Sequence, residues 1–281
     1  MRVLPSLALV LAVGCGQRAA DTNPQSPDPA PGPGQTGGPA AGPAAPEGKT
    51  FVNSLPMEFV LVPKGGEVPQ DFYLGTYEVT QEQWQAVTGK NPSAFSPAGG
   101  NAKAVAGIPP EDLKRFPVER VSWPDAQQFL SLLAAKGPVP GWRYRLPTEA
   151  EWKYACRGGE PRQEKILFAY YFRDGITDQL TVQKANFGSP VLPGRKTTPG
   201  SLGRTCKVGS YEPNRLGLYD MHGNVWEWSQ DRQGNFKTAH LRLGGGYTSE
   251  AHNCAASQSY GFDDTNRSAD QGLRVALVRA P

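Results

Sequence analysis

Gly209-Ser210-Tyr211-Glu212-Pro213-Asn214-Arg215-Leu216-Gly217-Leu218-Tyr219-Asp220-Met221-His222-Gly223-Asn224-Val225-Trp226-Glu227-Trp228 decides how the chain reads. Gly, Pro and Asn punctuate this stretch, and it shows no sustained helical or strand period. The same holds for most of the chain after Gly158-Gly159. Upstream the pattern is regular. Phe59-Val60-Leu61-Val62-Pro63 and the run from Phe72 to Val79 read as strands. Three helix starts follow. Thr80 caps the first, with Gln81, Glu82 and Gln83 as a polar first turn before Trp84 and Val87. Ser122 opens the second, with Pro124 in its first turn and Phe129, Leu130, Leu132 and Leu133 as its apolar face. Thr148 caps the third, Glu151 completes a capping box, and Trp152 and Tyr154 follow. A few capped helices and strands, with long irregular connections and no visible repeat, predict a single α+β domain.

Farther out the composition shifts. The 281 residues include 33 Gly and 27 Pro, well above ordinary usage. Residues 16–50 are the richest part and hold almost nothing apolar, so they read as an extended spacer. Ahead of them, Arg2 and the apolar stretch from Val3 to Val13 are too short to span a bilayer and read as a signal peptide. That segment ends Ala12-Val13-Gly14-Cys15, small residues before a cysteine, as in the bacterial lipoprotein signal; Cys15 is then the acylated residue. A plain secretory signal with an incidental cysteine is the other reading. Residues 1–15 are thus assigned to the signal, 16–50 to the linker and 51–281 to the folded domain. The implied location is exported and membrane-anchored, with lipid as the only membrane contact. A net charge of +3 and a mean hydropathy of −0.49 argue against a nucleic-acid partner and against a polytopic membrane protein.

Seven motifs occur in order: FVLVPKGG (59–66), FYLGTYEVTQEQW (72–84), FPVERVSWPDAQQF (116–129), YRLPTEAEWKYACRGG (144–159), the opening stretch (209–228), LRLGGGY (241–247) and GLRV (272–275). Together they resemble the formylglycine-generating enzyme, or sulfatase-modifying factor, family over about residues 51–278. The resemblance implies a variant of the C-type lectin fold, with small sheets, two or three helices and much irregular backbone.

It also defines what chemistry to look for. Oxidases of that family hold copper(I) with two cysteine thiolates soon after the Gly-Gly-aromatic motif, here Gly244 to Tyr247. Ser249 stands at the first of those positions, and neutral serine is a poor ligand for that soft ion. Counted without a gap, Cys254 falls on the second. Cys254-Ala255-Ala256 also resembles the family's later structural half-cystine, whose partner would be Cys156. A Cys156–Cys254 bridge would close a loop of about 100 residues, worth roughly 4–5 kcal/mol. A second family disulfide is missing as a pair, its positions being Leu130 and Val275. Cys206 has no family role and could be a buried thiol, an intermolecular partner or another partner for Cys254. No copper is expected. The three histidines, His222, His240 and His252, form no ligand pattern for non-haem iron.

One metal site is implied by the resemblance. The family's Asn/Asp-x-x-Gly-x-x-x-Glu loop binds structural Ca²⁺, and here it maps to Asp220, Gly223, Val225 and Glu227. The competing reading is a tight turn over a buried Trp226. A second calcium site would start at Asn186 and Phe187, with its distal acid not evident.

The C-terminal segment has a different character. From Tyr247 to Asp270 it is mostly Tyr, Ser, Thr, Asn, Asp, His, Ala and Gly, and no lysine occurs after Lys237. That is the composition of a paratope, and it resembles the variable region of C-type-lectin-fold proteins diversified by retroelements. An ordinary polar loop is the alternative. The expected ligand surface is Tyr247, Ser249, His252, Asn253, Tyr260, Phe262, Asp263 and Asn266, with the three rings exposed together. The function expected is a lipid-anchored, non-catalytic module binding a protein or small molecule at its C-terminal groove. The alternative is an oxidoreductase of the same family working without thiolates on an exported protein or peptide.

Overall fold

In the computed structural model, residues 46–162, 165–188 and 198–281 are described. The signal, Cys15 and nearly all of the linker lie outside them.

The helices form where capping chemistry announces them. The helix Gln81–Thr88 (α1) starts at Thr80, whose hydroxyl accepts from the Gln83 amide while the Gln83 side chain accepts from the Thr80 amide. Gly89 ends it with φ +79°. After a single short turn, Pro110–Leu113 (α2), the helix Trp123–Lys136 (α3) uses the same reciprocal cap between Ser122 and Asp125. Glu149–Cys156 (α4) does so between Thr148 and Glu151. Glu151 also takes a two-pronged ion pair from Arg145, so it ties the helix start to the preceding strand.

The strands are short: Thr50–Val52 (β1), Glu58–Val62 (β2), Phe72–Gly75 (β3), Trp142–Arg145 (β4), Tyr170–Phe172 (β5), Gly175–Thr177 (β6), Trp226–Arg232 (β7), Ala239–Leu243 (β8), Tyr260–Asp263 (β9), Gln271–Gly272 (β10) and Ala276–Arg279 (β11). They build a five-stranded sheet in the order β1-β2-β3-β11-β4, a four-stranded sheet β10-β7-β8-β9, and the hairpin β5-β6. The C-terminal β11 thus sits between β3 and β4, so the end of the chain closes the sheet that its start begins.

Two main cores result. One lies under α1 and α3, where Trp84 stacks flat on Phe129 with ring centroids 4.8 Å apart, and includes Phe59, Tyr73 and Trp228. The other gathers around Trp152 of α4 with Phe72, Leu74, Met221 and Leu243. Among the described residues no helix is long and apolar enough to cross a membrane.

Candidate functional site

The opening stretch folds as a tight loop around buried charge. Asp220 and Asn224 take positive φ, +56° and +62°, which their short polar side chains tolerate better than most. Glu227, at the start of β7, is fully buried and ion-paired to the equally buried Arg274, with Nη2 to Oε1 at 2.7 Å. Arg274 Nε donates to both carboxylate oxygens at 3.0 Å, and the Trp152 indole donates to Oε2 at 2.6 Å. The remaining guanidinium hydrogens go to the carbonyls of Gly75, Thr76 and Tyr219. Glu78 accepts from the Asn224 side chain at 2.6 Å and from the Val225 amide at 3.1 Å. Asp220 accepts from the Gly209 amide at 2.6 Å. Burial, together with the charges of Asp220 and Glu227, pushes the Glu78 carboxyl well up. Burial lifts Asp220 to about 6 against the opposing Gly209 hydrogen bond.

This donor set does not fit the calcium loop as expected from the resemblance. Both Glu227 oxygens are occupied by Arg274 and Trp152, so the guanidinium holds the place a cation would take. Among the described residues no group of three or more His, Cys, Asp or Glu could hold a metal ion. Gly223 and Val225 act in the loop through their amides, which bond to the Gly244 carbonyl and to Glu78. At the second position, the Asn186 amide nitrogen bonds to the Arg204 carbonyl and to Asn224, while its Oδ1 is buried without a partner. Phe187 packs its ring into a small core with Tyr170 and Phe172.

The cysteines also require a correction. Cys156, Cys206 and Cys254 are all free, buried thiols, and no Cys156–Cys254 bridge is formed. The His222 ring packs against both residues: its Nε2 lies 3.8 Å from the Cys156 sulfur, and its Nδ1 lies 2.8 Å from the Cys254 carbonyl. Burial holds His222 down to about 4 and pushes all three thiols up, so each stays protonated and unreactive near neutral pH.

The expected ligand surface comes together only in part. Tyr247 is 8% exposed and packs edge-on against Phe95 in a cluster with Phe116 and Leu113, so it is a core residue. Ser249 is buried too, its hydroxyl accepting from the Gly246 amide at 2.9 Å and closing the Gly-Gly-Gly turn. The sequence hides this because a loop that packs on a satellite core has the composition of one that does not. His252 is exposed beside Glu250 and Phe168. Asp263 is exposed and binds the Thr265 amide, and Asn266 is half-buried.

What does assemble is one face of the second sheet. The register pairs Arg242 with Tyr260 and His240 with Phe262 across β8 and β9, and Trp228 with Arg242 across β7 and β8. The Arg242 guanidinium lies between two rings, 3.7 Å from the Phe262 centroid and 4.4 Å from that of Trp226. Tyr260 meets Trp226 edge-on at 5.6 Å, and its hydroxyl donates to Asn253 at 2.7 Å. Burial lowers Arg242 to about 10, with the Asp270 charge opposing. It stays cationic at neutral pH, and among the described residues it forms no salt bridge. Arg242 and Trp226 were missed in the sequence. The alternation Leu241-Arg242-Leu243 was a usable signal, but the ring partners come from strands far off in sequence. A half-buried cation between rings is suited to gripping carboxylates, carbonyls and apolar side chains.

Residues 38–279 match the family described as the sulfatase-modifying factor enzyme 1-like domain. The chaperone protein LppX of Paenibacillus barcinonensis is 32% identical over 242 residues, 73% of this chain and 79% of that protein. The formylglycine-generating enzyme of Mus musculus is 39% identical over 116 residues, which is 41% of this chain and only 27% of the enzyme's length. Among solved structures, Treponema denticola variable protein 1 superposes with a TM-score of 0.58 at 24% identity, over 83% of this chain and 99% of that one. PvdO from Pseudomonas aeruginosa gives 0.58 at 20%, over 84% and 100%. With these matches the fold is the formylglycine-generating-enzyme-like variant of the C-type lectin fold, and the chain belongs to the sulfatase-modifying factor enzyme 1-like family.

Proposed function

We infer that the protein is a non-catalytic recognition module of this family, exported and lipid-anchored through Cys15, that binds exposed polypeptide at the Trp226–Arg242–Phe262–Tyr260 face. The observation that carries this is the Arg242 guanidinium held between the buried Trp226 ring and the half-buried Phe262 ring, with no salt bridge among the described residues. Two further facts support it. Ser249 stands where a copper thiolate would be and spends its hydroxyl on the Gly246 turn, while Cys254 is a buried thiol. The similar LppX protein is named a chaperone.

A carboxymethylated, permanently unfolded protein serves as probe. Wild type binds it, and Arg242→Ala and Tyr260→Ala each weaken binding by about tenfold or more with the melting temperature unchanged, as for hot-spot residues. Variants that bind like wild type would overturn the assignment of this face. Stoichiometric Cu(I) binding with oxidation of a cysteine peptide would instead establish the oxidoreductase. Cys15→Ser should release the protein from the membrane fraction, and unchanged partitioning would remove the lipid anchor.

A further inference from the structure

A second concavity, none of whose walls belongs to the Arg242 face, has the makings of a small-molecule site. It encloses about 510 Å³ and is lined by α1, the loop that follows it, α3 and the segment just ahead of α3. Small-molecule pockets typically measure roughly 300–1,000 Å³. Half-buried Leu132 and the exposed edge of Trp84 supply apolar wall, over the buried Val121. Lys90 and Arg120 enter from different segments, and Arg267 from a third. Asp125 is the one acid among the lining residues, and it is already taken by Arg267, with contacts of 2.6 and 2.9 Å. Among the described residues neither Lys90 nor Arg120 has a salt bridge. The cavity therefore carries two uncompensated positive charges beside apolar wall.

Arg120 adds an independent sign. Its φ is +62°, a left-handed conformation that side chains rarely adopt. The neighbours impose it. The Glu119 carboxylate turns inward to the Phe95 amide at 2.9 Å, the Val121 carbonyl accepts from the Trp228 indole at 2.9 Å, and the Arg120 amide reaches the Ser268 carbonyl at 3.1 Å. Glycine would adopt this conformation freely. The chain instead carries, at a strained position, a long cation that lines a cavity, which is the pattern expected where backbone strain serves a site.

We propose that this cavity binds a small amphiphilic acid, an apolar ring or acyl chain bearing one carboxylate, with Lys90 and Arg120 on the carboxylate and Leu132 and the edge of Trp84 against the apolar part. Isothermal titration calorimetry on the purified full chain tests it, using 1-naphthoate and decanoate as probes and their uncharged amides as controls. Both acids should saturate, and the amides should bind at least about tenfold more weakly. Arg120→Gly should lose about tenfold in affinity for the acids while its melting temperature stays equal or rises, because the strain is relieved. Lys90→Gln should lose a similar factor. Arg242→Ala should bind the acids like wild type, which separates this site from the sheet face. The proposal is overturned if no acid saturates up to about 10 mM, if acids and amides bind equally, if Arg120→Gly retains full affinity, or if Arg242→Ala abolishes acid binding.

Discussion

Arg274 illustrates how one side chain can be indispensable without touching a ligand. It neutralises Glu227, faces the fields of Glu78 and Asp220, and satisfies three backbone carbonyls. Arg274→Met should cost about 3–5 kcal/mol in denaturant unfolding, because a buried carboxylate is left unpaired. The double variant with Glu227→Gln should recover part of that loss. Glu119 offers a test by pH. Burial raises its carboxyl from 4.5 to about 7, and its Oε2 has no partner. A group whose folded pKa is raised binds more protons folded than unfolded, so its contribution to stability declines as pH rises between those two values. Glu119→Gln should therefore gain stability relative to wild type from about pH 4.5 to about pH 7, and nothing beyond. His222, held down to about 4, acts in the opposite sense, so the difference between variant and wild type is the quantity to follow.

Among the elements, the three N-caps and the box between Thr148 and Glu151 were legible because N-capping is decided by residues within four positions of one another, while the return bonds of Gln83 and Asp125 came only with the structure. Thr148→Ala should cost about 1 kcal/mol, and the measured loss should be accompanied by weaker protection of the first-turn amides of α4 in hydrogen exchange. The turn that ends β8 was legible only as a motif. Gly245 has φ +73°, and a Cβ there would meet the Cys254 sulfur at 2.4 Å and the Cys254 backbone at 3.1 Å. Gly245→Ala should destabilise by more than about 2 kcal/mol, combining strain and overpacking. An unchanged unfolding midpoint would mean the glycine run merely follows family habit. The Arg242 face could not be read from any single element, since its four side chains come from β7, β8 and β9 and meet only through strand register.

For the whole molecule, the free thiols make a prediction that concerns the entire domain. Folded protein should resist alkylation at Cys156, Cys206 and Cys254, and all three should react once unfolded without reductant. Recovery of only one of these three by mass spectrometry would restore the disulfide implied by the family resemblance. The sequence by itself determined the capped helices, the α+β class and the loop-rich scaffold, because each depends on local chemistry or composition. Only the tertiary structure decided that Tyr247 is core, that Arg274 holds Glu227 where a calcium ligand was expected, and that Cys156 and Cys254 are free thiols with His222 against both residues. Those outcomes depend on which distant groups fill a given space, and burial, charge pairing and strand register are properties of the packed chain, not of any stretch along it.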